Sequence, residues 1–195
     1  QKQVTIIKKG LDLPISGSPS KKITDIPIIS TVAILSNDFV GMKPTLIKRE
    51  GDAVKAGEII FEDKKNPGVF YTSPAGGVIA SVNRGDKRRF LSIEIDIGKN
   101  EEFVEFEVDK TNLKELLIKS GLWPAFRTRP FNRTPSIESQ PNAVFINACD
   151  TSPLSIDPYQ IITHDEDNFK KGLETIRKIF DCDINLVYQN ENFNT

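Results

Sequence analysis

One run of the chain, Gly121-Leu122-Trp123-Pro124-Ala125-Phe126-Arg127-Thr128-Arg129-Pro130-Phe131-Asn132-Arg133, concentrates side chains suited to holding a ligand or a partner. Trp123, Phe126 and Phe131 offer flat apolar faces, while Arg127, Arg129 and Arg133 offer planar donors that match carbonyl or carboxylate oxygens. Such a set can stack on a flat ring and hydrogen-bond its carbonyls. It can equally dock another protein, because arginine and aromatics are enriched where interfaces bind most tightly. A third reading has the aromatics pinning an irregular proline-rich linker, with the arginines in water or paired with nearby acids. Asp150-Thr151-Ser152 follows a strand-like run, the usual ligand position of an open α/β sheet, although an aspartate there also caps its own turn. His164 and Asp165 are adjacent, and helix capping explains both better than acid–base chemistry. Cys149, set in apolar strand sequence, reads as a small core side chain. The chain carries no Ser/His/Asp set, no P-loop and no convincingly spaced pair of carboxylates.

The bulk composition narrows the classes further. With 195 residues, 38% apolar and 27% charged, the chain has the make-up of one large or two small globular domains. Its 26 basic and 27 acidic side chains leave a net charge of −1, so no overall field draws in nucleic acid or an anionic membrane. Cys149 and Cys182 lie far apart and His164 is the single histidine, which argues against a zinc site, an iron–sulfur cluster or a disulfide framework in this chain. The N-terminal residues lack the features of a signal peptide, and no run approaches the ~20 apolar residues that span a bilayer.

The elements that must position these residues begin with a repeat. A β-branched strand ending in Gly-Asp occurs at Gly51-Asp52 and again at Gly85-Asp86, with a Pro-Gly hairpin between the copies. This pattern resembles the biotinyl/lipoyl carrier fold, a flattened barrel of two similar half-sheets whose connecting hairpin presents a modified lysine. Here the hairpin reads Glu62-Asp63-Lys64-Lys65-Asn66-Pro67-Gly68, and the proline and charged neighbours make a poor carrier tip. The predicted class is mixed α+β: a biotinyl/lipoyl-like barrel-sandwich hybrid followed by the start of a Rossmann-like βαβ domain. Its predicted parts are an N-terminal arm over 1–30 with one or two short strands, the barrel over 31–108, a helix and ordered linker over 109–140, and the beginning of a truncated α/β domain over 141–195. Phe90–Ile97 alternates as a half-buried strand, and Phe103, Phe106 and Val108 continue β-like. Asp109 to Thr111 supply N-cap candidates for a helix over about 112–120 that buries Leu113, Leu116 and Leu117 and stops at Gly121. Residues 141–150 read as a buried strand, 151–158 as a loop, and 167–181 as a helix with Phe169, Leu173, Ile176 and Phe180 on one face.

The order of Lys8-Lys9-Gly10-Leu11-Asp12-Leu13-Pro14-Ile15, Phe61 to Val69, Gly121 to Phe131 and Asp150 to Leu154 resembles the A subunits of the bacterial sodium-translocating NADH:quinone reductases. The resemblance covers essentially the whole chain. It implies the N-terminal part of a protein more than twice this length, peripheral on the cytoplasmic face of the inner membrane and attached through partner subunits. It further implies no redox cofactor in this chain, flavins and an iron–sulfur centre in other subunits of a six-subunit complex, and NADH and ubiquinone as that complex's substrates. The site residues it suggests for quinone or for contact with other subunits are Trp123, Phe126, Arg127, Arg129 and Phe131. Two alternatives stay open: a carrier modified on Lys64 or Lys65, and a flavin-binding relative of the Rnf or complex I subunits. Against the second, Trp123, Pro124 and Phe126 stand where small residues would let the backbone approach a flavin.

Overall fold

The computed structural model describes residues 13–20, 22–25, 27–99, 102–107, 111–150 and 152–188. The chain divides into two compact units, Asp25–Pro141 with Lys178–Phe180, and Asn142–Arg177 with Asp181–Thr195 and Gln1–Thr24.

The first unit holds strands β1 (Thr31–Leu35), β2 (Pro44–Leu46), β3 (Ala53–Val54), β4 (Ile59–Asp63), β5 (Phe70–Thr72), β6 (Gly77–Arg84) and β7 (Phe90–Ile97). They form a four-stranded sheet in the order β1-β7-β6-β3 and a three-stranded sheet in the order β2-β4-β5. All neighbouring pairs are antiparallel. This is the barrel-sandwich hybrid that the Gly-Asp repeat predicts, with unequal halves. Its core is Ile60, Phe61, Val69, Tyr71, Ile79, Ile93 and Ile95, all essentially out of water. Phe61 stacks on Tyr71 with centroids 4.6 Å apart and meets Phe90 edge-on at 5.7 Å. The alternation read along β7 holds at Ile93 and Ile95 but fails at its start, where the register with β6 shifts between Asn83 and Arg84. A bulge re-aims the side chains beyond it, so Phe90 is buried and Leu91 is 38% exposed.

Three further expectations for this region change. The described arm residues form no strand, in keeping with Pro14, Gly17, Pro19 and Pro27, which break a ladder; the phrase Lys8 to Asp12 lies outside the described residues. Phe103 makes one parallel bridge to Ala56 rather than a strand, and Val108 is not among the described residues. Helix α1 (Leu113–Lys119) is capped by Asn112, whose side chain accepts from the Glu115 N–H, and Asp109 and Lys110 lie outside the described residues. The predicted stripe on α1 is half-buried rather than buried. Gly121, at φ +73°, ends the helix as expected, with its own N–H on Ile118 O and the Leu122 N–H on Leu117 O.

The second unit pairs β8 (Ala143–Ala148) with β9 (Asp183–Tyr188) in parallel, in register from Ala143↔Asp183 to Ala148↔Tyr188. Between them in sequence run α2 (Pro158–His164) and α3 (Glu166–Ile179). The predicted loop over 151–158 thus leads into a helix the periodicity did not reveal. Its signal was Asp157-Pro158, an N-cap whose carboxylate accepts from the Tyr159 N–H, followed by proline at the first turn. Residues 141–150 are half-buried rather than buried, since Phe145 on one sheet face is 69% exposed. The α3 stripe is in place, with Leu173 buried.

Candidate functional site

The aromatic–basic run begins where α1 stops and wraps onto the barrel. Gly121 packs against β5 so closely that an added Cβ would lie 2.3 Å from the Thr72 hydroxyl, and its missing side chain therefore serves packing. Trp123 is 1% exposed and donates through Nε1 to Pro135 O at 3.0 Å. Phe126 meets it edge-on at 5.3 Å, Phe180 lies 6.1 Å from it, and Lys114 sits over its face at 5.5 Å. The Arg127 guanidinium donates to the carbonyls of Pro124, Phe126 and, through Nη2 at 3.2 Å, Asp38. Its Cζ also lies 5.1 Å from the Phe39 ring centre. Carbonyls in short 3-10 turns and at their ends thus take a charged donor, which is worth more than a neutral one.

Beyond Arg127 the chain turns outward. The Thr128 N–H and hydroxyl both donate to Arg133 O, at 2.8 and 3.0 Å, and the Asn132 N–H donates to Thr128 O at 2.8 Å. These bonds close a small loop containing a cis Arg129–Pro130 bond. Arg129 is exposed, and Phe131 is 72% exposed. The structure therefore brings buried Trp123 together with half-buried Phe126 and Arg127 and sets Arg129 and Phe131 apart on the surface.

The lysine-bearing hairpin tip lies under the following segment. Asn66 Nδ2 donates to Thr134 O and Pro135 O at 3.2 and 3.0 Å, and Gly68 faces Ile137, whose Cδ1 would lie 2.6 Å from an added Cβ. Glu62 accepts from the Gly68 N–H at 2.7 Å, and Asp63 Oδ1 accepts from the N–H groups of Lys43 and Lys65 at 3.0 Å each. Asn66, which anchors the strap, escaped the sequence reading; its only signal was an asparagine before proline. Burial pushes the Tyr71 phenol up, with Thr134 and Arg127 drawing it part of the way back, and its hydroxyl makes no hydrogen bond of normal geometry.

The other candidates are local. Asp150 accepts from the Ser152 N–H at 2.9 Å, the expected turn, and hydrogen bonds from Ser152 hold its carboxyl below the usual range; Thr151 is not among the described residues. Asp165 closes α2 and accepts from Asn168 at 2.9 Å, while His164 is exposed in the last turn. Cys149 is half-exposed, not core, and its thiol lies 3.1 Å from Asn147 Oδ1, because the strand ends at Ala148. Among the described residues no group of three His, Cys, Asp or Glu side chains could hold a metal, and no helix is long and apolar enough to cross a membrane.

Fold and loop together define a chain of the barrel-sandwich-hybrid type followed by an α/β unit. Two family models match that order, the NqrA N-terminal barrel-sandwich hybrid domain over residues 5–98 and the NqrA second alpha/beta domain over 108–195. The A subunit of the Na(+)-translocating NADH-quinone reductase from Haemophilus influenzae (strain PittGG) is 45% identical over 182 residues, 89% of this chain and 41% of that protein. Its counterpart in Neisseria gonorrhoeae (strain NCCP11945) is 44% identical over 189 residues, 92% of this chain and 42% of that protein. The counterpart in Actinobacillus pleuropneumoniae serotype 5b (strain L20) is 44% identical over 182 residues, 89% and 40% respectively. The chain belongs to the NqrA family, and it spans about two fifths of the length of these curated relatives.

Proposed function

We propose that this chain is the N-terminal part of the peripheral NqrA component of a sodium-translocating NADH:quinone reductase, on the cytoplasmic face of a bacterial inner membrane. In this reading the six-subunit complex oxidises NADH, reduces ubiquinone and moves Na+ out of the cytoplasm. The flavins and iron–sulfur centre belong to other subunits, and this chain contributes assembly and the environment of the quinone rather than a redox group. The observation that carries the reading is the 45% identity, sustained over 182 residues, with a relative bearing that name. Within the chain, Arg129 and Phe131 contact a neighbouring protein of the complex, and Trp123, Phe126 and Arg127 hold their loop in place. The 72% exposure of Phe131 supports this division. A ubiquinone ring is the alternative occupant, favoured by that same flat exposed face.

Reconstitution tests it. The complex is prepared without NqrA, the full-length protein carrying Arg129→Ala with Phe131→Ala is added back, and assembly and NADH-driven quinone reduction are both measured. Weakened assembly supports the docking surface; a fully assembled complex that reduces quinone poorly moves the pair to the quinone; wild-type behaviour in both removes the loop from function.

A further inference from the structure

Three cations of the barrel unit are held in ion pairs, and most of its other lysines and arginines, including Arg84, Lys87, Arg88 and Arg89, are in none among the described residues. Lys48 pairs with Glu58 at 2.5 Å, Lys55 with Glu102 at 2.9 Å and Lys119 with Glu115 at 2.5 Å. What distinguishes the hairpin tip is convergence: Lys43, Lys64, Lys65, Arg129 and Arg133, none of them in an ion pair among the described residues, come from separate segments of the chain. The backbone draws these cations together. The Lys64 N–H donates to Lys43 O at 2.8 Å, the Thr128 N–H to Arg133 O at 2.8 Å, and Arg133 Nε reaches over Gly41. Between them opens a notch of about 230 Å³ whose walls include Val40, Met42, Asp63, Lys65, Arg133 and Ser136. Of the acids here, Asp63, in the wall itself, accepts from two backbone N–H groups and Glu62 from a third, while Asp38 and Glu138 lie on neighbouring segments. Lys65 and Arg133 thus face each other across the notch, with Lys43, Lys64 and Arg129 on adjoining segments and the exposed apolar side chains Val40 (48%) and Phe131 (72%) on the same loops.

We infer that this face docks an acidic segment of a partner protein, seating a carboxylate in the notch between Lys65 and Arg133 and apolar side chains against Val40 and Phe131. The Arg133 fork can hold a carboxylate through two hydrogen bonds, and a rim of like charge steers an acidic partner toward it. The notch matches one side chain in size, too small for a folded element and sufficient for a Glu or Asp of an extended segment. This inference rests on the reading above that Phe131 and Arg129 meet a partner, and adds the partner's chemistry without requiring that partner to be a pump subunit.

The test measures fluorescence anisotropy of a fluorescein-labelled glutamate-rich decapeptide bearing one phenylalanine, titrated with the full-length protein. A photo-crosslinking version of the peptide maps the contact by mass spectrometry. Saturable binding is expected, with crosslinks in 40–43, 63–66 and 129–136 and none from the peptide's glutamine counterpart. Lys65→Glu with Arg133→Glu should weaken it by roughly tenfold or more, and added salt should weaken it steadily. Both side chains are exposed, so the thermal melt checks that the variant is folded. The inference is overturned by absent binding, by crosslinks elsewhere, or by an unaffected double variant. Inorganic phosphate competing at concentrations comparable to the peptide would make the notch a small-anion site instead. Binding of phosphatidylglycerol vesicles that the same variant abolishes, with the peptide inert, would make it a membrane contact. Because this assay contains no pump, its failure and that of the reconstitution are separable.

Discussion

The inner and outer parts of the aromatic–basic run are built from the same residue types and have opposite fates. From Trp123 to Arg127, rings and guanidinium turn inward. Trp123 fills the interior beside Phe126 and Phe180, and Arg127 bonds three carbonyls that no ladder satisfies. From Thr128 to Arg133 two backbone hydrogen bonds and one from the Thr128 hydroxyl close the loop on itself, and Arg129, Phe131 and Arg133 face water. Composition alone therefore does not mark a binding surface. Where backbone carbonyls lack partners, arginine becomes structure; where a loop closes its own bonds, the same residue is available to another molecule.

Trp123→Ala strains this contrast most. Losing a fully buried tryptophan should cost about 3–5 kcal/mol in chemical denaturation. A loss below about 1 kcal/mol would mean the inner cluster is not a core. Gly121→Ala comes next: at φ +73° with Thr72 within 3 Å of the new methyl, it should destabilise by about 2–3 kcal/mol. Arg127→Ala should cost about 1–3 kcal/mol through orphaned carbonyls, and Arg127→Lys should recover only part, because an ammonium cannot reproduce the fork. Arg129→Ala and Phe131→Ala should each change stability by less than about 0.5 kcal/mol while weakening partner assembly.

A further change sets a paired charge against the unpaired ones. Lys48 hydrogen-bonds Glu58 and holds its carboxyl below the usual range, with the Lys55 N–H assisting and partial burial opposing them. A carboxyl depressed on folding stabilises above its unfolded-state pKa and loses that contribution as pH falls through the folded value. Glu58→Gln should therefore cost under about 1 kcal/mol at neutral pH, a deficit that closes in acid. A deficit unchanged in acid would assign it to packing rather than to the ion pair.

Much of this was legible in residue order. The twin Gly-Asp phrases and the hairpin between them predict the barrel, and pinning of the linker by its aromatics was one of three readings the residues left open. The strap over the hairpin was not legible, because Asn66 meets Thr134 and Pro135 across nearly seventy positions and no local pattern records such a pairing. The bulge that swaps Phe90 for Leu91 was hidden for the same reason, since a register shift belongs to two strands rather than one. The split of the aromatic–basic run was equally invisible, because whether an arginine finds a carbonyl depends on the path of a backbone without periodicity.

The decisive experiment places Arg127→Ala beside Arg129→Ala in the full-length protein, measuring denaturation midpoint and assembly with the rest of the complex for both. Arg127→Ala is expected to lower the midpoint, and Arg129→Ala to leave the midpoint unchanged while weakening assembly. Equal destabilisation by the two, or an unaltered midpoint for Arg127→Ala, would contradict the division of the run into an inner and an outer part.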